Sequence, residues 1–312
     1  MPRKFLLFFL VAVMAVFAAG CGADESKDES GDMKETITVK HKLGETKIEK
    51  NPEKIVVFDF GILDSLDALG IDITALPKAT IPSYLEKFKD KKYINVGSLK
   101  EPDFEKIAEI NPDLIIVSAR QMELYDEFTK IGPTLYMELD TAHYMESFKE
   151  NMKTIGKIFE KEQEIEEKLA AIDERIAAVK EKAKETKGKA LIILANEGNI
   201  SAYGPGSRFG LIHDEFGIPA ADENIAVSTH GQNISPEYIA EKNPDYLFVI
   251  DRGAAITNQS SAEEIVETKL VKNTTAYKNG NIVYLNPDYW YLSGAGLTSV
   301  AEMVSEIEKA IK

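Results

Sequence analysis

The chain has 312 residues, with 37 basic side chains against 52 acidic ones and a formal net charge of −15. A surface this acidic repels phosphate backbones, so nucleic acid is excluded as a partner, although a few cations in a water-poor cleft can still set a local positive field. A single cysteine, Cys21, excludes an internal disulfide framework.

Residues 1–20 read as a targeting segment. Arg3 and Lys4 form the charged start, Phe5–Ala19 the apolar run, and Ala18-Ala19-Gly20 the small residues before Cys21. An ordinary secretory signal followed by an unrelated cysteine is the alternative reading. Residues 21–35 are acidic and poor in large apolar groups, and such a segment lacks the surface to fold by itself. It reads as a tether whose fourteen residues after Cys21 reach roughly 50 Å when extended. Without Arg3 and Lys4 the remaining charge is 35 minus 52, or −17.

Residues 36–143 read as a first α/β lobe. The alternating stretch 36–50 predicts a hairpin turning near Gly44. Strands are predicted at 54–59, 93–96, 114–117 and 134–136, with helices between them, the first over 62–69. That alternation predicts a mainly parallel sheet. Residues 144–187 are helical. Met145, Phe148, Met152, Ile155 and Phe159 keep a 3-4 spacing, and Ile165, Leu169, Ile172, Ile176 and Val179 resume it after a slip near Lys161–Gln163. The second of these helices, about Lys161 to Lys184, reads as a strut of roughly 35 Å joining two lobes. Arg175 on it is expected to form a solvated ion pair. Residues 188–312 read as the second lobe, with strands at 189–196 (Lys189 and ALIILAN), 200–203, 246–251 and 281–285 and a closing amphipathic helix at 297–311. Lobe, strut and lobe leave one natural ligand site, the cleft between them.

An internal repeat points to that cleft. Glu105–Arg120 (EKIAEINPDLIIVSAR) recurs 132 residues later as Glu237–Arg252 (EYIAEKNPDYLFVIDR), with nine of sixteen positions identical. In each copy a short helix is stopped by Asn-Pro, a buried strand follows, and an arginine lies just past the strand end. Ligands of open α/β sheets bind at that edge. Arginine is scarce, five residues against 32 lysines, so its matched placement carries weight. A third arginine, Arg208, lies in the glycine-rich loop SAYGPGSRFG. Convergence of Arg120, Arg208 and Arg252 would demand an anion of about three charges, since planar guanidinium forks suit anionic oxygens. His230 (in STHGQNIS), Trp290 and Tyr291 (both in DYWYLSG) fall on segments expected at the cleft edge, where aromatic groups suit flat rings. For His230 the alternative is a hydrogen-bonded loop residue, and for Trp290 it is packing against the closing helix.

No Walker loop, HExxH or GxSxG is present: Ser207 follows Pro205 and Ser293 follows Tyr291 where a nucleophile elbow needs glycine. The four histidines (41, 143, 213, 230) are scattered, unlike a bare-metal site. The chain is read as a binder with no intrinsic cofactor. A surface esterase is kept as the enzymatic alternative.

Taken together, VVFDFG (56–61), VGSLKEPDF (96–104), DLIIVSARQ (113–121), SAYGPGSRFGLIHDEFG (201–217), STHGQNIS (228–235), PDYLFVIDRG (244–253) and WYLSG (290–294) resemble the rigid-helix, cluster-III substrate-binding proteins of ABC importers for iron–siderophores and vitamin B12. The nearest branch is the petrobactin-binding lipoproteins of bacilli. The resemblance implies two Rossmann-like α/β lobes joined by one long helix, and a ferric catecholate of about −3 charge held by Arg120, Arg208 and Arg252. It implies Lys100 as a further pocket cation, although a plain surface lysine also fits the sequence. His230 and Tyr291 are implied as iron ligands where the siderophore leaves positions vacant. Cys21 is implied as the lipid attachment site, anchoring a monomer on the extracytoplasmic face of the bacterial cell membrane. Glu105 and Glu237 are implied to dock on a permease served by a separate ATPase; a solvated helix face is their alternative. Other ligands that fit are bacillibactin, ferric citrate and haem.

Overall fold

The computed structural model describes residues 35–186, 188–257 and 259–311. The targeting segment, Cys21 and nearly all of the tether lie outside them.

The alternating stretch at the start forms β1 (Thr36–His41) and β2 (Gly44–Glu49), paired antiparallel from Thr36–Glu49 to His41–Gly44. The turn falls on Lys42-Leu43, just ahead of the expected glycine. β3 (Ile55–Val57) and α1 (Phe60–Ala68) follow, with the Asp59 carboxylate capping α1 by accepting the Gly61 and Ile62 amides. Next come β4 (Ala75–Leu76), β5 (Ile94–Asn95), α2 (Phe104–Ile110), β6 (Leu114–Val117), α3 (Tyr125–Thr129) and β7 (Thr134–Tyr136). The five strands β3–β7 make an all-parallel sheet in the order β5-β4-β3-β6-β7.

Two helices lead to the second sheet: α4 (Tyr144–Phe159) and the 25-residue α5 (Glu162–Thr186). The expected phase slip is a sharp break at Glu160, which turns left-handed at φ 54°. Then come β8 (Ala190–Asn196), β9 (Asn199–Tyr203), α6 (Leu211–Asp214), β10 (Gln232–Ile234), α7 (Pro236–Lys242) and β11 (Tyr246–Asp251). The chain ends with α8 (Arg252–Thr257), α9 (Ala262–Val266), α10 (Thr275–Lys278), β12 (Ile282–Leu285) and α11 (Leu297–Ala310). The second sheet runs β10-β9-β8-β11-β12. It is parallel across β8, β11 and β12 but antiparallel at β8-β9 and β9-β10. It is therefore mixed, because β8 and β9 are joined by the tight turn at Glu197-Gly198, and a hairpin forces opposite strand directions.

Each sheet buries one face under its own helices and the other in a core common to both lobes. Val56, Ile115 and Val117 pack with Ile107 and Phe128 on one side, and Leu191, Ile193 and Val249 pack with Ile239 and Val271 on the other. The shared core joins Leu114 and Ile116 to Phe148 and Ile155 of α4, Ile172 and Val179 of α5, Phe248 of β11, and Val300 and Ile307 of α11. The strut is thus embedded along one flank. Arg175 forms the expected solvated ion pair, with Nη2 3.4 Å from Glu308 of α11, and also donates through Nη1 to the Ala301 carbonyl (3.1 Å), fastening α5 to the closing helix.

The repeat has a structural cause. α2 and α7 are both seven residues long, and both end on an asparagine in the left-handed region, Asn111 (φ 51°) and Asn243 (φ 42°), where asparagine is tolerated better than most residues. The aspartate after each Asn-Pro staples the neighbouring strand. Asp113 accepts the Glu53 and Lys54 amides (3.0 and 2.8 Å), and Asp245 accepts the Lys189 amide (2.9 Å). The shared motif aligns β6 and β11 alike, and both arginines follow from that alignment.

Candidate functional site

In the first lobe, β6 gives way at Ser118 to a 3-10 turn, Ala119–Leu124, that carries Arg120. Gln121 is fully buried beneath it. Its Oε1 accepts the Ser118 amide (3.2 Å), and its Nε2 donates to the Leu99 carbonyl (2.6 Å). Leu99 belongs to the tight turn carrying Lys100. There Ser98 Oγ accepts the Lys100 and Glu101 amides (3.3 and 3.0 Å), and Gly97 sits at φ +97° with a Cβ position only 2.3 Å from the Glu101 carbonyl oxygen. Only glycine fits there. Lys100 and Arg120 are both exposed on this lip.

In the second lobe, β11 ends on buried Asp251. Its carboxylate accepts the Ala254, Ser261 and Ala262 amides (3.1 Å each) and the Ser260 hydroxyl (2.8 Å). Burial pushes this carboxyl up, but the bonds from Ala254, Ser260, Ala262 and Ser261 outweigh it and hold it below the usual aspartate value. Asp251 thereby fixes the start of α8, whose first residue is Arg252. Arg252 Nη1 donates to Asn196 Oδ1 at the end of β8 (2.8 Å) and lies 3.9 Å from Glu197. Arg208 leaves the turn after β9, with its guanidinium carbon 5.2 Å from the Phe209 ring centre and 4.3 Å from that of Tyr291.

The three arginines meet at Tyr291. A single π-helical turn, Asp288–Leu292, presents its carbonyl and its hydroxyl to different partners. Arg208 Nη2 donates to the carbonyl at 2.6 Å and Arg120 Nη2 reaches it at 3.4 Å, while Arg252 Nε donates to the hydroxyl at 2.9 Å. Burial pulls the Arg208 guanidinium below its ordinary value and the charge of Arg120 pulls it further, yet arginine stays protonated in any protein. Burial pushes the Tyr291 phenol up, but the Arg252 hydrogen bond and the Arg208 and Arg252 charges overcome this and leave it below the ordinary phenol value. The site therefore favours negative charge strongly enough to act on a phenol. Each guanidinium has five N–H donors, and exposed Arg120 spends its fork on one long bond, so donors remain for a ligand.

Trp290 corrects an expectation. It is 2% exposed and its indole N–H donates to Glu306 Oε2 of α11 (2.7 Å). The π-helical turn sends Trp290 toward the closing helix and Tyr291 toward the three arginines, so Trp290 packs behind them. His230 is exposed in the loop before β10. The neighbouring Gly231 abuts the Tyr203 ring, which packs edge-on against Phe209 (4.7 Å) beside Arg208. Among the described residues no contact joins His230 to the arginines. Glu105 and Glu237 are exposed, each the second residue of its helix, and a hydrogen bond with Ser235 holds the Glu237 carboxyl below its usual range. Sequence reasoning misses Asn196, Gln121 and Asp251. The available signals are a polar residue closing an apolar run, as Asn196 closes ALIILAN and Asp251 closes YLFVID, and the Ser118-x-x-Gln121 capping-box spacing.

Among the described residues no helix is long and apolar enough to cross a membrane. Residues 55–289 match the family described as Periplasmic binding protein. The chain is 55% identical over 315 residues to the petrobactin-binding protein YclQ of Bacillus subtilis, covering 99% of each. The crystal structure of YclQ superposes with a TM-score of 0.88 at 57% identity, over 89% of this chain and 99% of that one. The periplasmic catecholate-siderophore binding protein VctP of Vibrio cholerae superposes at 0.84 with 37% identity, over 88% and 100%. The ferric-anguibactin-binding protein FatB of Vibrio anguillarum is 32% identical, over 96% of this chain and 95% of its own.

Proposed function

The chain belongs to the periplasmic binding protein family, whose members bind substrates rather than transform them, and from that premise we propose that it captures a ferric catecholate siderophore of the petrobactin type and delivers it to an ABC importer. The observation that carries this reading is the meeting of Arg120, Arg208 and Arg252 on Tyr291. Ferric iron is a hard cation that keeps oxygen ligands, so the siderophore retains it and the protein recognises the complex. Three guanidiniums match a core of about −3 charge, and Lys100 adds an outer cation. Tyr291, its phenol already biased toward the anion, and His230 on its exposed loop are the two groups that would approach iron if the chelator leaves coordination sites open. Cys21 is the lipid attachment site in this reading. It holds a monomer at the extracytoplasmic membrane surface by the acidic tether.

The test is quenching of the sole tryptophan, Trp290, which adjoins the ligand-facing Tyr291. Ferric petrobactin should bind most tightly, ahead of ferric complexes of an enterobactin-type catecholate, citrate and a hydroxamate. Tighter binding of the hydroxamate complex, whose core lacks the trianionic charge, would overturn the reading.

Delivery rests on the repeat. Glu105 and Glu237 occupy equivalent positions on α2 and α7, and a permease with paired arginine sites would read them as a pair. The double variant Glu105→Arg, Glu237→Arg should abolish iron uptake in cells while leaving ligand affinity within about twofold of wild type, since exposed charges distant from a site contribute little to it. Normal uptake by that variant would remove the two glutamates from the docking surface.

A further inference from the structure

We infer that Gln121 is a positioning residue of the ligand site, holding Lys100 and Arg120 on one rigid lip at a fixed separation. The inference rests on the reading of the cleft as an anion site. Gln121 carries no charge and cannot reach a ligand, being fully buried. Its side chain nonetheless joins two loops 22 residues apart in sequence. One end holds the Ser118 amide at the root of the Arg120 turn (3.2 Å), and the other holds the Leu99 carbonyl next to Lys100 (2.6 Å). The Lys100 turn is also braced from its other side, by Ser98 Oγ beneath the Lys100 and Glu101 amides and by Gly97 in a conformation few other residues adopt.

A lysine on a mobile loop offers an anion little, because the backbone has to be ordered when the ligand binds and that loss of entropy opposes binding. Here the backbone on both sides of Lys100 is fixed before any ligand arrives, and only the side chain remains to be ordered. The second lobe uses the same device: buried Asp251 fixes the backbone from which Arg252 projects. Two buried polar residues, one before an arginine and one after, thus mount cleft cations in both lobes. Asp251 confines its bonds to its own loops, whereas Gln121 couples two separate cations, so Gln121 carries the sharper consequence.

That consequence is energetic coupling between Gln121 and Lys100. Gln121→Met keeps the volume and removes both hydrogen bonds. With ferric petrobactin as probe and Trp290 quenching as readout, Gln121→Met should weaken binding about 5- to 20-fold, and Lys100→Ala about 3- to 10-fold. The double variant should be no weaker than the product of the two divided by about 3, because a loosened lip has already lost part of the Lys100 contribution. Gln121→Glu, which keeps the acceptor for the Ser118 amide but as a carboxylate has no N–H for the Leu99 carbonyl, should show the same coupling and supplies the test if Gln121→Met fails to fold. Thermal unfolding separates positioning from stability. A variant that melts earlier but binds ferric petrobactin with wild-type affinity at 25 °C overturns the inference, as does full additivity with Lys100→Ala. Failure of the wild-type protein to bind the probe would instead count against the siderophore reading itself.

Discussion

Arg208→Met should weaken binding of the ferric siderophore by about 2–5 kcal/mol, roughly 30-fold to several thousandfold, the range seen when one partner of a desolvated charge pair is removed. Arg208 is the most deeply placed of the three arginines: burial lowers its value, and its guanidinium lies over both Phe209 and Tyr291. Methionine preserves the apolar stem over those rings, so the loss reports the charge rather than a cavity. Arg120 is exposed and should behave differently. Its removal is expected to cost about 1 kcal/mol or less, as for other solvent-exposed charge pairs. Salt distinguishes the two. With a Debye length of about 10 Å at 0.1 M and about 3 Å at 1 M, raising the salt should erase most of the Arg120→Met effect while leaving most of the Arg208→Met effect in place. Titrations of both variants by Trp290 quenching at 0.1 M and 1 M sodium chloride give the answer. Equal, salt-sensitive losses would mean that the ligand sits at the cleft mouth and never reaches Arg208.

Much of this arrangement is written locally in the chain. The helix ends at Asn111 and Asn243 are legible because asparagine before proline both stops a helix and tolerates the left-handed region. The strands that follow are legible as apolar runs, and the two repeat arginines inherit their position from the alignment. Arg208 is legible only as a cation in a glycine-rich loop; that it meets the other two at a backbone carbonyl is a fact of tertiary structure. The strand β4 is two residues long, and β10 is polar, so neither carries a periodic signal. Trp290 and Tyr291 are neighbours in a π-helical turn, a geometry with no sequence signature, so nothing local decides which faces the ligand. Gln121 and Arg175 act through carbonyls 22 and 126 residues away, and a backbone acceptor leaves no trace in residue identity. Asp64 did leave one. An acid between Leu63 and Leu66, on the apolar side of a helix whose other polar members are Ser65 and Asp67, has to be satisfied from elsewhere.

Asp64 is satisfied by the other lobe, and its loss should be the largest single blow to stability. The N-cap of α11 is Gly296, which has no side chain with which to accept the first-turn amides. The Asp64 carboxylate of α1 takes that place across the lobe boundary, accepting the Thr298 amide (3.2 Å) and the Ser299 amide (2.7 Å), while Ser65 Oγ accepts the Leu297 amide (3.1 Å). The fit admits only glycine: a Cβ at Gly296 would stand 2.1 Å from Asp64 Oδ2, and one at Gly61 2.9 Å from the Ala295 carbonyl carbon. Asp64→Ala strands the buried Ser299 amide and the part-buried Thr298 amide and should cost about 2–4 kcal/mol. In a chain of this size that lowers Tm by about 3–7 °C. Asp64→Asn should cost less. It keeps one acceptor and sheds a charge whose burial raises the carboxyl above the ordinary 3.8, despite the amides of Thr298 and Ser299 that hold it. The direction of that shift fixes the pH dependence. The folded protein favours the protonated acid, so the associated stability is complete below about pH 3.8 and is lost as pH rises through the raised folded value. The advantage of wild type over Asp64→Asn should therefore be greatest in acid and shrink toward neutral pH, while the penalty of Asp64→Ala persists at both ends. Melting curves of the three proteins from pH 4 to 7 measure this. An alanine variant as stable as wild type would show that α11 needs no cap from α1. The pairing of the two lobes would then have to come from the α4–α5 strut, the shared core and the other cross-lobe hydrogen bonds, such as that from the Tyr84 hydroxyl to Ser293 Oγ (2.7 Å).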